Sequence, residues 1–399
     1  MSGGVVSGGA TGAATRPTST GVAIVGAAES DLGVTGRSIL GLQAQAIGRA
    51  IEDAGLTLAD IDGLATTGVS RFSATQVADY LGLRPSWTDS TFAGGSAFEM
   101  YVARAAQAIE AGQCGTVVIS YASNQRSARS RSLAGVVETH TPEAQFETPY
   151  GPLYPISYYA MAAQQYLHRY GGSREALAEV AVAAREWALL NPAAFRHGAG
   201  PLTAADVLAA PMASTPLTTA DCCLVTDGGG AVVLTSLDRA RDLPKPPVRV
   251  LGYGECTTNT SMTAVDDLTV TGAVESGRAA FARAGLTPGD VDVAEVYDSF
   301  TITVVLTLEA LGFCGRGETL DWIAGGRIRP GGDFPLDTSG GGLSYCHPGQ
   351  YGVLLLVEAV RQLRGECGAR QVPGAEIALA HGTGGILSTH ATVLLGVDR

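Results

Sequence analysis

The chain has 399 residues, 46% apolar, 16% charged and only 6% aromatic, with 53 glycines. That balance excludes a disordered polymer or a fibrous repeat and supplies the apolar surface for a sizeable core packed through Ala and Gly. A net charge of −12 argues against the broad basic face of a nucleic-acid binder, though not against a local Arg cluster for an anionic small ligand.

The first 20 residues, rich in Gly, Ser, Thr and Ala, read as a disordered leader and lack the pattern of a signal peptide. Val22 to Gly26 is a short apolar run, expected as a buried strand. A helix is predicted from about Ser38 to Ala54, stopped by Gly55. The segment Ala54-Gly55-Leu56-Thr57-Leu58-Ala59-Asp60-Ile61-Asp62 returns 230 positions later, from Ala284, as Ala284-Gly285-Leu286-Thr287-Pro288-Gly289-Asp290-Val291-Asp292. Six of nine positions are identical and Ile61/Val291 is conservative. A period that long suggests two homologous halves rather than a solenoid.

Further alternation fits both halves. A helix is predicted over Met100–Ala111 and strands over Gly115–Ser120 and Thr226–Leu234. Val248–Gly254, Ala294–Tyr297, Ile377–Ala380 and Val393–Gly396 also read as strands, and Gly352–Arg364 as a helix. The expected fold is α/β, with a mostly parallel sheet covered on both faces. From about 123 to 216 the pattern turns irregular and polar, and is read as a loop lobe inserted in the first half. The halves are then 21–245 and 246–399, joined at Pro244-Lys245-Pro246-Pro247. The seven cysteines are scattered without a C-x-x-C pair, so neither a disulfide framework nor a zinc site is expected. A reducing, cytoplasmic location fits, and no stretch reaches the roughly 20 apolar residues of a membrane span.

Three second-half segments are chemically loaded: Glu295-Val296-Tyr297-Asp298-Ser299-Phe300, Gly340-Gly341-Gly342-Leu343-Ser344-Tyr345-Cys346-His347-Pro348-Gly349, and His381-Gly382-Thr383-Gly384-Gly385. The first and third put polar residues beyond a predicted strand, where open α/β sheets build sites, and the second is a Gly-rich turn into a helix. Gly-rich turns also let backbone N–H groups approach a developing oxyanion. Asp298 is either a site acid or a helix cap. His140, His168, His197 and His390 have no such context.

These segments resemble the thiolase superfamily. Tyr297-Asp298-Ser299-Phe300 stands at the position of its N-E-A-F segment, Cys346-His347-Pro348 matches its G-H-P segment, and His381-Gly382 matches the His form in sterol-carrier-protein thiolases. The resemblance spans about Gly21 to Gly396 and implies a duplicated five-layered αβαβα fold, a homodimer, and an acyl-CoA substrate. Coenzyme A would be part of the substrate, with no intrinsic cofactor and no metal.

One departure bears on chemistry. Where thiolases carry their nucleophilic Cys, this chain reads Ser90-Thr91-Phe92-Ala93-Gly94-Gly95-Ser96-Ala97-Phe98. Ser and Thr need an added base where a thiolate does not. Cys346 is read as filling the family's Gly position. Thiolase-like steroid side-chain retro-aldolases, lipid-transfer-type relatives, also lack the Cys and carry tyrosines in these segments. They pair with an OB-fold, zinc-ribbon protein of the domain-of-unknown-function-35 type. The resemblance implies retro-aldol cleavage of a β-hydroxyacyl-CoA to a ketone and a shorter acyl-CoA. Tyr297, Tyr345, His347, His381 and Asp298 are the candidate catalytic residues. Arg126, Arg129, Arg131, Gly382 and Gly384 are the candidates for holding coenzyme A. The alternatives are an acyltransferase of the sterol-carrier-protein thiolase type and a non-catalytic acyl-CoA-binding subunit.

Overall fold

The structure, a computed structural model, describes residues 20–130 and 139–398. The expected leader, Thr20 apart, lies outside the described residues, as does Arg131. Nine strands form one sheet: β1 (Val22–Glu29), β2 (Gly63–Thr66), β3 (Trp87–Asp89), β4 (Thr116–Ser123), β5 (Gly228–Ser236), β6 (Val248–Thr257), β7 (Val293–Val296), β8 (Ile377–Gly384) and β9 (Thr389–Val397). Their order is β3-β2-β4-β5-β1-β6-β9-β8-β7. The eight long helices among the described residues are α1 (Ile39–Asp53), α2 (Ser73–Leu81), α3 (Ala97–Glu110), α4 (Ile156–Tyr170), α5 (Arg174–Leu189), α6 (Ala273–Ala284), α7 (Thr301–Leu311) and α8 (Gly352–Arg364).

The sheet is mixed, which corrects the expectation of a mostly parallel one. Only β2–β3, β2–β4 and β8–β7 pair in parallel; the other five pairings are antiparallel. A strand buried on both faces reads as an apolar run whichever way it points, so the sequence does not give its direction. β8 and β9 form a hairpin, and β4 reaches β5 only through the long segment that carries α4 and α5.

The two halves meet edge to edge where β1 pairs with β6 through Ala23–Arg249 and Ile24–Val248 alone. Helices α3 and α8 pack on strands of both halves. α1 covers the outer face of the first half, and α6, backed by α7, that of the second. The result is five layers, α-β-α-β-α. α8 suits the middle layer because all its residues except Arg361 and Arg364 are buried.

The duplication extends to atoms. Thr57 N–H donates to Asp60 at 2.9 Å, and Thr287 N–H to Asp290 at 2.7 Å, each pair closing a capping box. Asp62 then accepts from the N–H groups of Gly115 and Thr116, and Asp292 from those of Glu376 and Ile377. A Cβ at Gly26 would lie 2.0 Å from Ala50 O, and one at Gly252 would lie 2.3 Å from Ala280 O. Both halves therefore use a glycine to press strand against helix.

The stretch expected as an irregular lobe contains α4 and α5. Tyr158, Tyr159 and Tyr166 are buried on α4, so tyrosines read as polar loop residues are the apolar face of a helix.

Candidate active site

Strand β7 ends at Val296 and delivers Tyr297 as the next residue, with Tyr297 N–H donating to His381 O at 3.0 Å. The Tyr297 ring turns into the middle layer and lies on Gly95, at the approach to α3. A Cβ at Gly95 would sit 2.0 Å from Tyr297 Cε2, so only glycine admits the ring. The Tyr297 hydroxyl lies 3.0 Å from His347 Nε2 and 3.3 Å from Gly349 O, and accepts from Tyr351 N–H at 3.2 Å. Tyr351 adds its ring at right angles to Tyr297 and stacks on His347.

Both partners are nearly inaccessible, Tyr297 at 5% and His347 at 7% exposure. Burial pushes the Tyr297 phenol well above its usual range and pulls His347 down to about 4. At neutral pH the pair is therefore a neutral phenol and a neutral imidazole. The Cys223 thiol bears on Tyr297 electrostatically and is itself pushed up by burial.

The Gly-rich turn is pinned from β7. Asp298 accepts from the N–H groups of Gly342 at 2.5 Å and Leu343 at 3.0 Å. Its carboxyl is pushed up to about 7 by burial, against the pull of those N–H groups. Asp337 and Thr338 bind back to Val296 N–H and the Glu295 carboxylate. Asp298 thus anchors the turn. A Cβ at Gly341, whose φ is +63°, would fall 2.1 Å from Asp298 Oδ2. The Gly342 and Leu343 N–H groups are committed to this carboxylate, which corrects the expectation that they face an oxyanion.

Other expected residues are placed elsewhere. Tyr345 ends the one-turn helix 341–345, and an extended Cys346 separates it from His347. Its phenol is pushed up by burial and then by Glu29, the ion-pair partner of Arg361 near the far end of α8. No hydrogen bond joins it to Tyr297 among the described residues. His381 lies on the outer face of β8, where Nδ1 meets Thr392 Oγ1 at 2.8 Å and Nε2 meets His390 Nδ1 at 3.3 Å. The strand's alternation turns it away from Tyr297. His390, set aside in the sequence, is its buried stacking partner. Gly382 and Gly384 are packed against the approach to α3: their Cβ positions fall on Glu99 Oε2 and Ala93 O, leaving no open face for a ligand.

Arg126 and Arg129 are exposed. Arg126 lies 4.9 Å above the Phe195 ring and Arg196 5.8 Å from it, and Arg196 is near enough to Arg185 for its positive charge to add to the burial that lowers the Arg185 pKa. Phe195 and Arg196 donate their N–H groups to Tyr345 O and Ser344 O, so these cations border the Gly-rich turn. Cys346 is fully buried beside Thr226 Oγ1 at 3.1 Å, and burial pushes its thiol up to about 12. That thiol stays protonated and fills space.

The sequence also missed Glu99, in the first turn of α3. Its carboxylate is buried with both oxygens unpartnered, and burial pushes it up to about 8. An acidic residue early in a helix reads as an ordinary dipole partner, so the sequence carried no signal of its burial.

Against known proteins, the family described as "Thiolase C-terminal domain-like" matches residues 254–397. The "17-hydroxy-3-oxo-4-pregnene-20-carboxyl-CoA lyase" of Mycobacterium tuberculosis is 37% identical, the match covering 91% of this chain and 96% of the relative. The "Steroid side-chain-cleaving aldolase" of Thermomonospora curvata is 35% identical over 96% and 99%. An "Acetyl-CoA acetyltransferase" of Methanothermobacter thermautotrophicus is 34% identical over 86% and 91%. A solved "Ltp2-ChsH2(DUF35) aldolase" superposes with a TM-score of 0.86 at 34% identity, covering 96% of this chain and 99% of that one. Relatives therefore include both lyases and an acyltransferase, while the start of α3 here offers Ser96 and glycines but no thiol. The chain belongs to the thiolase superfamily and, within it, to the group of thiolase-fold carbon–carbon lyases, the aldolases.

Proposed function

We propose that this enzyme cleaves the side chain of a steroid β-hydroxyacyl-CoA by a retro-aldol reaction at the Tyr297–His347 pair. The observation that carries the reading is that pair, hydroxyl to imidazole at 3.0 Å, next to a helix start without a thiol. In the compound named for the mycobacterial relative, the hydroxyl is on carbon 17 and the carboxyl-CoA on the adjoining carbon 20. The hydroxyl is thus β to the thioester, as retro-aldol cleavage requires.

A phenol raised above its usual range cannot begin as a base, so Tyr297 works as a relay. The substrate hydroxyl gives its proton to Tyr297 Oη as Tyr297 passes its own to His347 Nε2. The Cα–Cβ bond breaks, its electrons forming the thioester enolate, and the oxygen leaves as a ketone. The proton returns to the α carbon and completes the shorter acyl-CoA. His347 is unprotonated at neutral pH, and the nearby enolate charge raises its affinity for the proton. Coenzyme A supplies the thioester that stabilises the carbanion, and the Arg126–Arg196 pair over Phe195 suits its phosphates.

A partner of the domain-of-unknown-function-35 type is supported by the Ltp2-ChsH2(DUF35) neighbour. A homodimer through the first half is supported by the edge position of β3. The test is to supply a steroid β-hydroxyacyl-CoA with and without such a partner and follow products. One ketone and one shorter acyl-CoA per turnover, without free CoA consumed, are expected. Consumption of CoA would instead establish thiolysis.

A further inference from the structure

Glu99, in the first turn of α3, takes no part in the relay. It is 1% exposed, and neither carboxyl oxygen has a hydrogen-bond partner. Two glycines form its slot. A Cβ at Gly382 would lie 2.1 Å from Glu99 Oε2, and one at Gly352 would lie 2.7 Å from Oε2 and 2.9 Å from Oε1. A side chain at either position would displace the carboxyl.

The walls of this slot also hold Tyr297. His381, just before Gly382, accepts from Tyr297 N–H at 3.0 Å. Tyr351, just before Gly352, donates its N–H to the Tyr297 hydroxyl at 3.2 Å. Gly95, four positions before Glu99, carries the Tyr297 ring, and its carbonyl oxygen would be 2.1 Å from the same Gly352 Cβ. Backbone, hydroxyl and ring of Tyr297 are therefore all fixed at the borders of the space that the Glu99 carboxyl fills.

Its neighbours offer no compensating charge. The titratable side chains around the start of α3 are phenols: Tyr297, Tyr351, and Tyr121, whose ring meets Phe98. His381 and His390 lie on the other face of β8 and β9. On α8, Glu358, Arg361 and Arg364 are paired with Arg370, Glu29 and Asp53. Tyr253 and Glu255 of β6 meet Gln107 and Arg104, further along α3. Burial pushes Glu99 up to about 8, with only its own N–H pulling the other way. At neutral pH the slot thus holds an uncharged acid. Once ionised, the carboxylate would have no donor, and the slot could keep it only by shifting or by admitting water.

We propose that Glu99 is a positioning residue: its uncharged carboxyl keeps the three supports of Tyr297 in place, and loss of its proton moves the Tyr297 hydroxyl off His347 and stops turnover. The assignment rests on the relay proposed above. Turnover is open while Glu99 holds its proton, below about pH 8, and closes above that value.

The test follows kcat and KM for cleavage of a steroid β-hydroxyacyl-CoA by the full chain from about pH 6.5 to 9.5. In the parent chain kcat should fall about tenfold per pH unit above 8, with KM little changed, as a single proton is lost. Glu99→Gln should make kcat level over that range. Glu99→Met, apolar and of similar length, takes its place should the first variant melt early. A readout without substrate is the imidazole nitrogen NMR signal of His347, assigned by its loss in His347→Gln. His347 itself stays neutral above pH 7, yet its signal should shift with a midpoint near 8 in the parent chain and stay fixed in Glu99→Gln. An alkaline fall in kcat that survives both substitutions overturns the assignment, as does a His347 signal indifferent to pH between 7 and 9. If that signal shifts as expected but no thioester is cleaved at any pH, the aldolase reading fails and Glu99 still governs the Tyr297–His347 contact.

Discussion

Tyr297 and His347, fifty residues apart, meet hydroxyl to Nε2 at 3.0 Å because one follows strand β7 and the other leaves the turn that Asp298 anchors. On the relay proposed above, Tyr297→Phe and His347→Gln should each lower kcat by about 10²–10⁴. The double variant should be little worse than either single one. Single-turnover kinetics with a separate measurement of thioester binding check this, and additive losses would show two independent roles.

His347 and His390 are each held near 4 by burial, and His381 well below its ordinary value by burial and by His390. A histidine that titrates at 6.5 unfolded and about 4 folded contributes stability that is present above pH 6.5. That contribution is lost as pH falls through 4. Urea midpoints should therefore drop between pH 6.5 and 4, and His347→Gln should flatten the drop. An unchanged slope would mean that the imidazole is solvated.

Glu99 carries the opposite sign. Its carboxyl titrates at about 8 in the folded chain and near 4.5 when unfolded. Stability from this residue is therefore greatest below pH 4.5 and declines as pH rises to about 8, by an amount on the order of a few kcal/mol. Glu99→Gln, neutral at every pH, should remove that decline. The comparison is between unfolding curves of the two proteins at pH 5, 7 and 9.

Gly341→Ala should cost about 1–3 kcal/mol, because its Cβ would meet Asp298 and because φ is +63° there. Displacing Asp298 moves the turn that carries His347, so kcat should fall with little change in KM. A variant that melts as the parent does but loses activity would isolate the positioning effect.

Cys346→Ala should retain cleavage within about twofold, since a thiol held near 12 is no nucleophile. Mass spectrometry of the quenched reaction should find no acyl adduct at this position. An adduct there would return the enzyme to the acyltransferases.

Much of this architecture was written in short-range chemistry. The repeated Ala-Gly-Leu-Thr and Asp-x-Asp pattern pointed to two like halves, and each copy closes a capping box whose contacts span only three residues. Strand direction was not legible, since pairing partners such as Val22 and Ser236 lie more than 200 positions apart. At the site, Tyr297 and His347 were both legible from their motifs. Tyr345 was chosen where Tyr351 in fact stands beside them, because a glycine-bearing turn and an extended Cys346 decide which side chain points inward. His381 faces away from this pair for a simpler reason: neighbours on a strand alternate faces, and Gly382, not His381, meets α3.

Ala23–Arg249 and Ile24–Val248 are the whole strand-to-strand pairing between the halves among the described residues. Cohesion then rests on the sandwiched helices α3 and α8, which grip both sides through apolar surface, and on loop contacts such as Phe195 N–H to Tyr345 O. A backbone nick at the Pro-rich junction, residues 244–247, severs a tether and not the glue. The two fragments, produced separately, should find each other and rebuild a working enzyme, whereas charging the buried side of α8 should scatter them.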